Sequence, residues 1–487
     1  MSGARGRYLA LMSRPSYRLT ALASALALGL SLSAAGTLPA SAAAAAAPRH
    51  TSTKPRRPKT PPPPEISLAP GVGGAPGVPI TMAPVGLSVE YPVMAAALGP
   101  EACPPAALVA QLRLLGSPPI SLAGVSQDAT APSGALAQPP QSWEAATLYS
   151  LPASFWTQLH CLLSQAADPL TVGLNLRSGG LAWAQQMVAS AQSVATNGLD
   201  FSLGNEPDLY YLPNYASLDK PQPDEDALAV SLYLQLASSL QPALGGAPLI
   251  GPELALPGQW QGELAHVIET LHEQTVGVHM YPLTACGSPR AVTINGLLSR
   301  SAANAPHRLA WVVADANAAG VPAIISEANS ASCGGVAGVS DSPAAAVWAV
   351  RFVLSALDTG FREVRFHFSG NSYDPFIVRG GEVQTRPLES ALVALNQWLA
   401  PGATLHTIAG VRGLVANSIV ASSGTTAFVI LENESATARP VVLANAQSVH
   451  VQSLSAARAG LREAQLSATH GRIKLVIPAN SLLALSP

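Results

Sequence analysis

From residue 83 to about residue 400, short apolar runs of strand-forming residues alternate with longer Ala- and Leu-rich stretches of helical period. Eight runs stand out: PVGLSVEY (84–91), PPISLAG (118–124), LTVGLNL (170–176), LDFSLGN (199–205), APLIGPEL (247–254), TVGVHMYP (275–282), VPAIISEAN (321–329) and REVRFHFSG (362–370). Between them lie helical patterns such as PAALVAQLRLLG, LYLQLASSL and SPAAAVWAVRFVLSAL. The runs read as apolar on both faces, as parallel strands covered by helices must be. Strand–helix alternation predicts a parallel α/β architecture, and eight runs predict a (β/α)₈ TIM barrel over residues 81–400. An open doubly wound sheet is the alternative, but no G-x-G-x-x-G follows the first run.

The period changes after LESALVALNQWLAPGA. Only strand-like runs with close turn signals remain, which predicts a small β-sandwich over 401–487. Some residues just before 84 are candidates for an edge strand of this second domain.

At the other end, Arg5, Arg7, Arg14 and Arg18 precede LTALASALALGLSLSAAG and then LPASAAAAAA, which offers A-x-A-type cleavage sites near Ala42. The apolar run approaches spanning length, so a retained anchor is the alternative. Its small residues and the cleavage site favour a signal peptide over 1–45 and a secreted chain. The basic segment before the apolar run holds no Arg-Arg pair to support a twin-arginine route, and no later segment reads as a transmembrane helix. Residues 46–80, with PRHTSTKPRRPKTPPPPE, predict an extended, disordered linker.

Charge narrows the partners. Charged residues make up 11% and the formal net charge is −2, which argues against nucleic acid. Such a surface suits a neutral or singly charged small substrate, and a monomer is expected. The cysteines are Cys103, Cys161, Cys286 and Cys333. An even count in an exported chain predicts two disulfides, four cysteines allow three pairings, and the spacings fit no zinc pattern.

In a barrel of this kind, polar residues at the C-terminal strand ends line the active site. Here the ends carry Glu90-Tyr91, Ser126-Gln127-Asp128, Asn175 and Arg177, Asn205-Glu206, His279 and Tyr281, Glu327 and Asn329, and His367 followed by Asn371 and Tyr373. Alone, each is a solvated strand end or a packing residue; together they converge on one face. Glu206 and Glu327 end runs four and seven, which face each other across the mouth. Retaining glycosidases need such a pair at roughly 5–5.5 Å, one carboxyl protonated by its surroundings and one ionised. A structural carboxylate pair or a metal site is the rival, and no histidine cluster with ligand spacing accompanies the pair in the sequence.

GNEP on run four, with a glutamate ending run seven, resembles the signature of clan A glycoside hydrolases. More narrowly, GLSVEYP, AGVSQD, LGNEPDLY, HMYPLTACG and SEANSASCGGVAGVSD resemble glycoside hydrolase family 79, which holds β-glucuronidases and heparanase-like enzymes. The likeness spans roughly residues 83–487. It implies Glu206 as acid/base, Glu327 as nucleophile, Asn205 on the sugar 2-hydroxyl, and Tyr281 bonded to Glu327 with His279 beside it. Glu90 and Asp128 resemble carboxylates that grip ring hydroxyls. Tyr373 and the backbone N–H groups around Gly334 and Gly335 are candidates for the uronate carboxylate. Ala123 and Val125 depart from the Gly and Asn usual there.

Cys286 follows run six and Cys333 follows run seven, so their loops are neighbours; the expected pairs are Cys286–Cys333 and Cys103–Cys161. The expected activity is an exo-acting β-glucuronidase that needs no cofactor or metal. The alternatives are an endo-acting, heparanase-like uronan hydrolase and a non-catalytic carbohydrate-binding surface protein.

Overall fold

A computed structural model describes residues 63–67, 77–135, 149–166, 169–177, 179–210, 225–409, 411–444 and 446–487. The signal peptide expected over 1–45 lies outside these residues. Among them, no helix is long and apolar enough to cross a membrane.

Each of the eight runs forms a strand: β1 (Val85–Glu90), β2 (Ile120–Ala123), β3 (Leu170–Leu174), β4 (Leu199–Leu203), β5 (Leu249–Leu254), β6 (Thr275–Met280), β7 (Ala323–Ala328) and β8 (Val364–Phe368). They pair in parallel in chain order, and β8 closes onto β1. The chain is therefore a TIM barrel followed by β-sheet layers.

The runs are less uniformly apolar than they read. Val85, Leu87 and Val89 pack into the layer under the helices, while Gly86, Ser88 and Glu90 alternate with them towards the interior. That interior is small and polar. Near the N-terminal end Arg365 donates to Ser121 and, at 2.7 Å, to Thr171, and it pairs with Glu363 at 2.9 Å. Two bulges break the alternation. Pro252 and Leu254 pair with Gly277 and Val278, so Glu253 is an extra residue in β5. Likewise Ile325 and Glu327 pair with Val278 and His279, which leaves Ser326 extra in β7. A bulge re-aims the side chains beside it.

The C-terminal strands form a seven-stranded and a three-stranded sheet. Val429, Leu431, Val441, Leu443, Ile473 and Leu475 pack in one cluster between them. Residues from before the barrel complete both edges. Val78–Pro79 pairs with Thr404–Leu405, and Glu65–Ser67 lies parallel to Val442–Ala444. This corrects the expectation of a disordered linker throughout 46–80. Ile66 is buried in the sandwich core, and Pro79 sits on an edge, where its missing N–H costs no ladder bond.

The helix Pro343–Thr359 is buried continuously from Ala344 to Leu357, because it packs against the helix Pro387–Trp398 and against Ser448–Ser455 of the large sheet. Two polar clasps reinforce that junction. Arg351 Nε lies 2.5 Å from Glu432 Oε1, and Trp398 Nε1 donates to Gln452 Oε1 at 2.5 Å. Both disulfides form in the expected pairs, Cys103–Cys161 and Cys286–Cys333.

Candidate active site

The site grows from the turn that ends β4. Gly204 and Glu206 both adopt left-handed backbone (φ 77° and 52°), and Pro207 opens the short helical turn Pro207–Leu209. For a glutamate that conformation costs about 1–2 kcal/mol, so the surroundings must impose it. They do so from both sides. Glu206 N–H donates to Glu253 O at 3.0 Å, and the buried Asp208 carboxylate accepts from Ala255 N at 3.0 Å and Leu256 N at 2.6 Å. Burial first of all pushes Asp208 up to about 6, against those two N–H bonds.

Behind the turn stands Asp128. Its Oδ1 accepts from Leu176 N at 3.0 Å, and its Oδ2 from Asn205 N at 3.1 Å and Tyr210 Oη at 2.5 Å. The carboxylate expected to grip a ring hydroxyl is thus engaged in holding the backbone of Asn205. Burial raises its pKa, opposed by Tyr210, Asn205, Arg177 and Leu176.

At the centre lies His279 on β6. Its Nδ1 is 3.1 Å from Glu206 Oε1 and 3.7 Å from Glu327 Oε1, and its Nε2 is 3.2 Å from Glu253 Oε2. The bulge at Ser326 lets that residue and Glu327 both turn inwards. Ser326 Oγ donates to Glu253 Oε2, while Glu327 Oε1 accepts from Tyr281 Oη at 2.7 Å. On the other flank, His367 Nδ1 is 3.3 Å from Glu327 Oε2 and 3.2 Å from Ser88 Oγ, and its Nε2 is 3.4 Å from Glu90 Oε1. Glu90 also accepts from Val125 N at 3.1 Å and Ser126 N at 2.8 Å, so this carboxylate too is held by protein donors. Each carboxylate of the pair thus meets an imidazole that reaches a second carboxylate: Glu206–His279–Glu253 and Glu327–His367–Glu90.

Charge follows from that arrangement. Burial disfavours the His367 imidazolium, but Glu327 and Glu90 outweigh it and carry the ring up to about 9. The same contest, with Glu327, Glu206 and Glu253 as the opposing charges and acceptors, holds His279 well above its usual value. Burial and then Glu327 push Tyr281 up, so its hydroxyl stays a donor.

The remaining expected residues gather beside Tyr281. The Tyr281 and Tyr373 rings are 6.3 Å apart, and Ser369 Oγ lies 3.0 Å from Tyr373 Oη. Gly334 and Gly335, both at positive φ, lie against Asn371 and Tyr373, where a Cβ on Gly335 would come 3.0 Å from the Tyr373 ring. Leu283–Thr284 pairs with Ala331–Ser332, and the Cys286–Cys333 bond (Cα–Cα 5.4 Å) clamps the two loops.

Among the described residues, one oxygen each of Glu206 and Glu327 and one ring nitrogen of His279 lie within 4.8 Å of one another. The sequence offered no histidine cluster with ligand spacing; folding instead brings one histidine and two glutamates together from three strand ends. Such spacing serves a cation or an acid–base pair, and the hydrogen bonds favour the second. His279 Nδ1 lies 3.1 Å from Glu206 Oε1, and the Tyr281 hydroxyl donates to Glu327 Oε1, as in a hydrogen-bonded acid–base pair.

Two participants are absent from the sequence expectation, Glu253 and the bridging role of His367. The only signal for Glu253 is an acid inside the apolar run PLIGPEL.

No protein-family profile matches the sequence, and no curated protein matches it significantly. Solved structures do match in fold. A 4-O-α-L-rhamnosyl-β-D-glucuronidase from Fusarium oxysporum 12S aligns with a TM-score of 0.65 at 17% identity, over 87% of this chain and 100% of its own. A family 51 arabinofuranosidase from Xanthomonas axonopodis pv. citri aligns at 0.59 and 12%, over 84% and 97%. The catalytic domain of the family 30 xylanase C from Talaromyces cellulolyticus aligns at 0.51 and 12%, over 87% and 99%. The chain shares the barrel-and-sheet fold of these glycoside hydrolases. These alignments, all below 20% identity, are a likeness of fold and place the chain in no family.

Proposed function

We propose that this protein is an exported retaining glycoside hydrolase, with β-glucuronides or closely related glycosides as its substrates. One observation carries the reading: the Glu206 and Glu327 oxygens approach within 4.8 Å. Retaining enzymes keep the pair roughly 5–5.5 Å apart, whereas inverting enzymes need roughly 6.5–9.5 Å to admit a water between carboxylate and sugar. The Glu327 side chain is 7% exposed and held by Tyr281, as suits a nucleophile; Glu206 is 20% exposed, within reach of a leaving group and then of water.

In this mechanism Glu327 attacks the anomeric carbon while Glu206 gives its proton to the departing oxygen. Glu206 then takes a proton from water, whose oxygen displaces Glu327 and leaves the anomeric configuration unchanged. The fold shared with a rhamnosyl-glucuronidase and the GNEP and SEANSASCGG motifs support the glucuronide preference. Two disulfides suit an oxidising compartment and support export. A panel of aryl β-glycosides tests the assignment. Release from the β-glucuronide, lost in Glu206→Ala and Glu327→Ala, is expected; full activity in either variant would sink it.

A further inference from the structure

We propose that Glu253 is a positioning residue for the acid–base carboxylate, acting on Glu206 through His279. The proposal rests on the glycosidase reading for its catalytic consequence, but not for its first test. Glu253 is held at an avoidable cost. Its backbone is left-handed (φ 58°), like that of Glu206, and it is the extra residue of the β5 bulge. A carboxylate buried under a barrel is expensive unless it is paired, and a packing role would be served better by an apolar residue.

The surroundings are cut to fit this acid. Ser326 Oγ donates to Glu253 Oε2 from the bulge of β7. Gly277 on β6 leaves the necessary room: a Cβ there would lie 2.9 Å from Glu253 Oε1 and 3.0 Å from Ser326 Oγ. The result is one straight connection, with Glu253 Oε2 at 3.2 Å from His279 Nε2 and Glu206 Oε1 at 3.1 Å from Nδ1. As the acceptor on that side, Glu253 fixes a proton on Nε2 and orients the ring. Nδ1 then faces the acid–base group both when Glu206 carries its proton and after it has given that proton up. A second link runs through the backbone, since Glu253 O accepts the Glu206 N–H at 3.0 Å.

Other charges bear on the pair. His279 faces Glu206, Glu327, Asp208 and His367, with the Tyr281 hydroxyl beside Glu327. Glu253 feels Arg365 from β8, and Glu273 and Tyr233 from beneath β5. Burial and then Glu253 hold Glu273 well above its usual range. Removing the Glu253 charge therefore weakens the hold on the His279 proton, and on the proton shared with Glu206.

The first test needs no substrate. Nitrogen NMR of isotope-labelled histidine should show the His279 proton on Nε2 and, in Glu253→Gln, a titration moved to lower pH. An unchanged titration would overturn the proposal whatever the protein hydrolyses. The second uses an aryl glycoside that the wild type turns over. Glu253→Gln should lower kcat roughly tenfold or more, leave KM within about twofold, and move the alkaline limb of the kcat profile to lower pH. In a His279→Asn background the same substitution should add little, because the effect passes through the ring. A uniform loss of kcat with unmoved limbs would reduce Glu253 to a structural role. Should Glu253→Gln fail to fold, Ser326→Ala, which removes the donor on Oε2, should shift both readouts in the same direction, and no shift would refute the idea. A wild type inert on every glycoside would instead remove the glycosidase reading while the NMR result stands.

Discussion

The Tyr281 hydroxyl at the end of β6 donates to Glu327 Oε1 on β7 across 2.7 Å, and no second hydroxyl reaches that oxygen among the described residues. The proposed nucleophile takes its aim from this hydroxyl on Oε1 and from the His367 ring beside Oε2. Tyr281→Phe should lower kcat by roughly ten- to a hundredfold with little change in KM, because the hydroxyl fixes the direction in which the carboxylate meets the anomeric carbon and makes no contact needed for binding. Steady-state kinetics on an aryl glycoside checks this.

His367 links catalysis to stability. Its ring titrates near 9 in the folded protein against 6.5 for the free side chain, because Glu327 and Glu90 overcome its burial. The sign follows from linkage: a raised imidazole pKa adds stability below 6.5, and that stability is lost as pH rises through about 9. Asp208 and Asp374, both carried by burial to about 6 from 3.8, act in the same direction at lower pH. The melting temperature should therefore fall from pH 6.5 to 9, and His367→Gln should flatten that slope, as read by calorimetry.

The two disulfides should separate stability from function. Cys103–Cys161 and Cys286–Cys333 span 58 and 47 residues, so each restrains the unfolded chain by roughly 4 kcal/mol in the loop-entropy account. Only the second clamps the Gly334-Gly335 loop beside Tyr373. Paired Cys→Ala substitution at either bridge should lower the melting temperature, but only loss of Cys286–Cys333 should also raise KM.

Acid–base use of the Glu206–His279–Glu327 cluster predicts indifference to chelators. Extended dialysis against EDTA should leave turnover unchanged. Loss of activity restored by a divalent ion would reassign the cluster to metal binding.

Much of this was legible in the sequence. The eight runs became eight strands because strand–helix alternation and Gly/Pro punctuation are local signals. Glu206 and Glu327 were visible because each ends a strand, where a barrel displays its chemistry. Glu253 was hidden because a bulge, set by pairing with β6, places it, and no spacing in one run betrays a bulge in the next. The roles of Asp128 and Glu90 were equally invisible. A carboxylate at a strand end can meet a substrate or brace a turn, and only the backbone N–H groups of Asn205, Val125 and Ser126 show these two braced by the protein. The small polar barrel interior was masked for a different reason: single Ser and Thr residues hardly disturb an apolar run, although Ser88, Ser121, Thr171 and Ser326 all hydrogen-bond inside it.

The central claim is that Glu206 and Glu327 form a retaining pair. Proton NMR recorded during the first minutes of hydrolysis of an aryl β-glucuronide, before the released sugar equilibrates, tests it most directly. The β-anomer should appear first and the α-anomer only later. An α-anomer as the initial product would show single-step inversion and contradict the account.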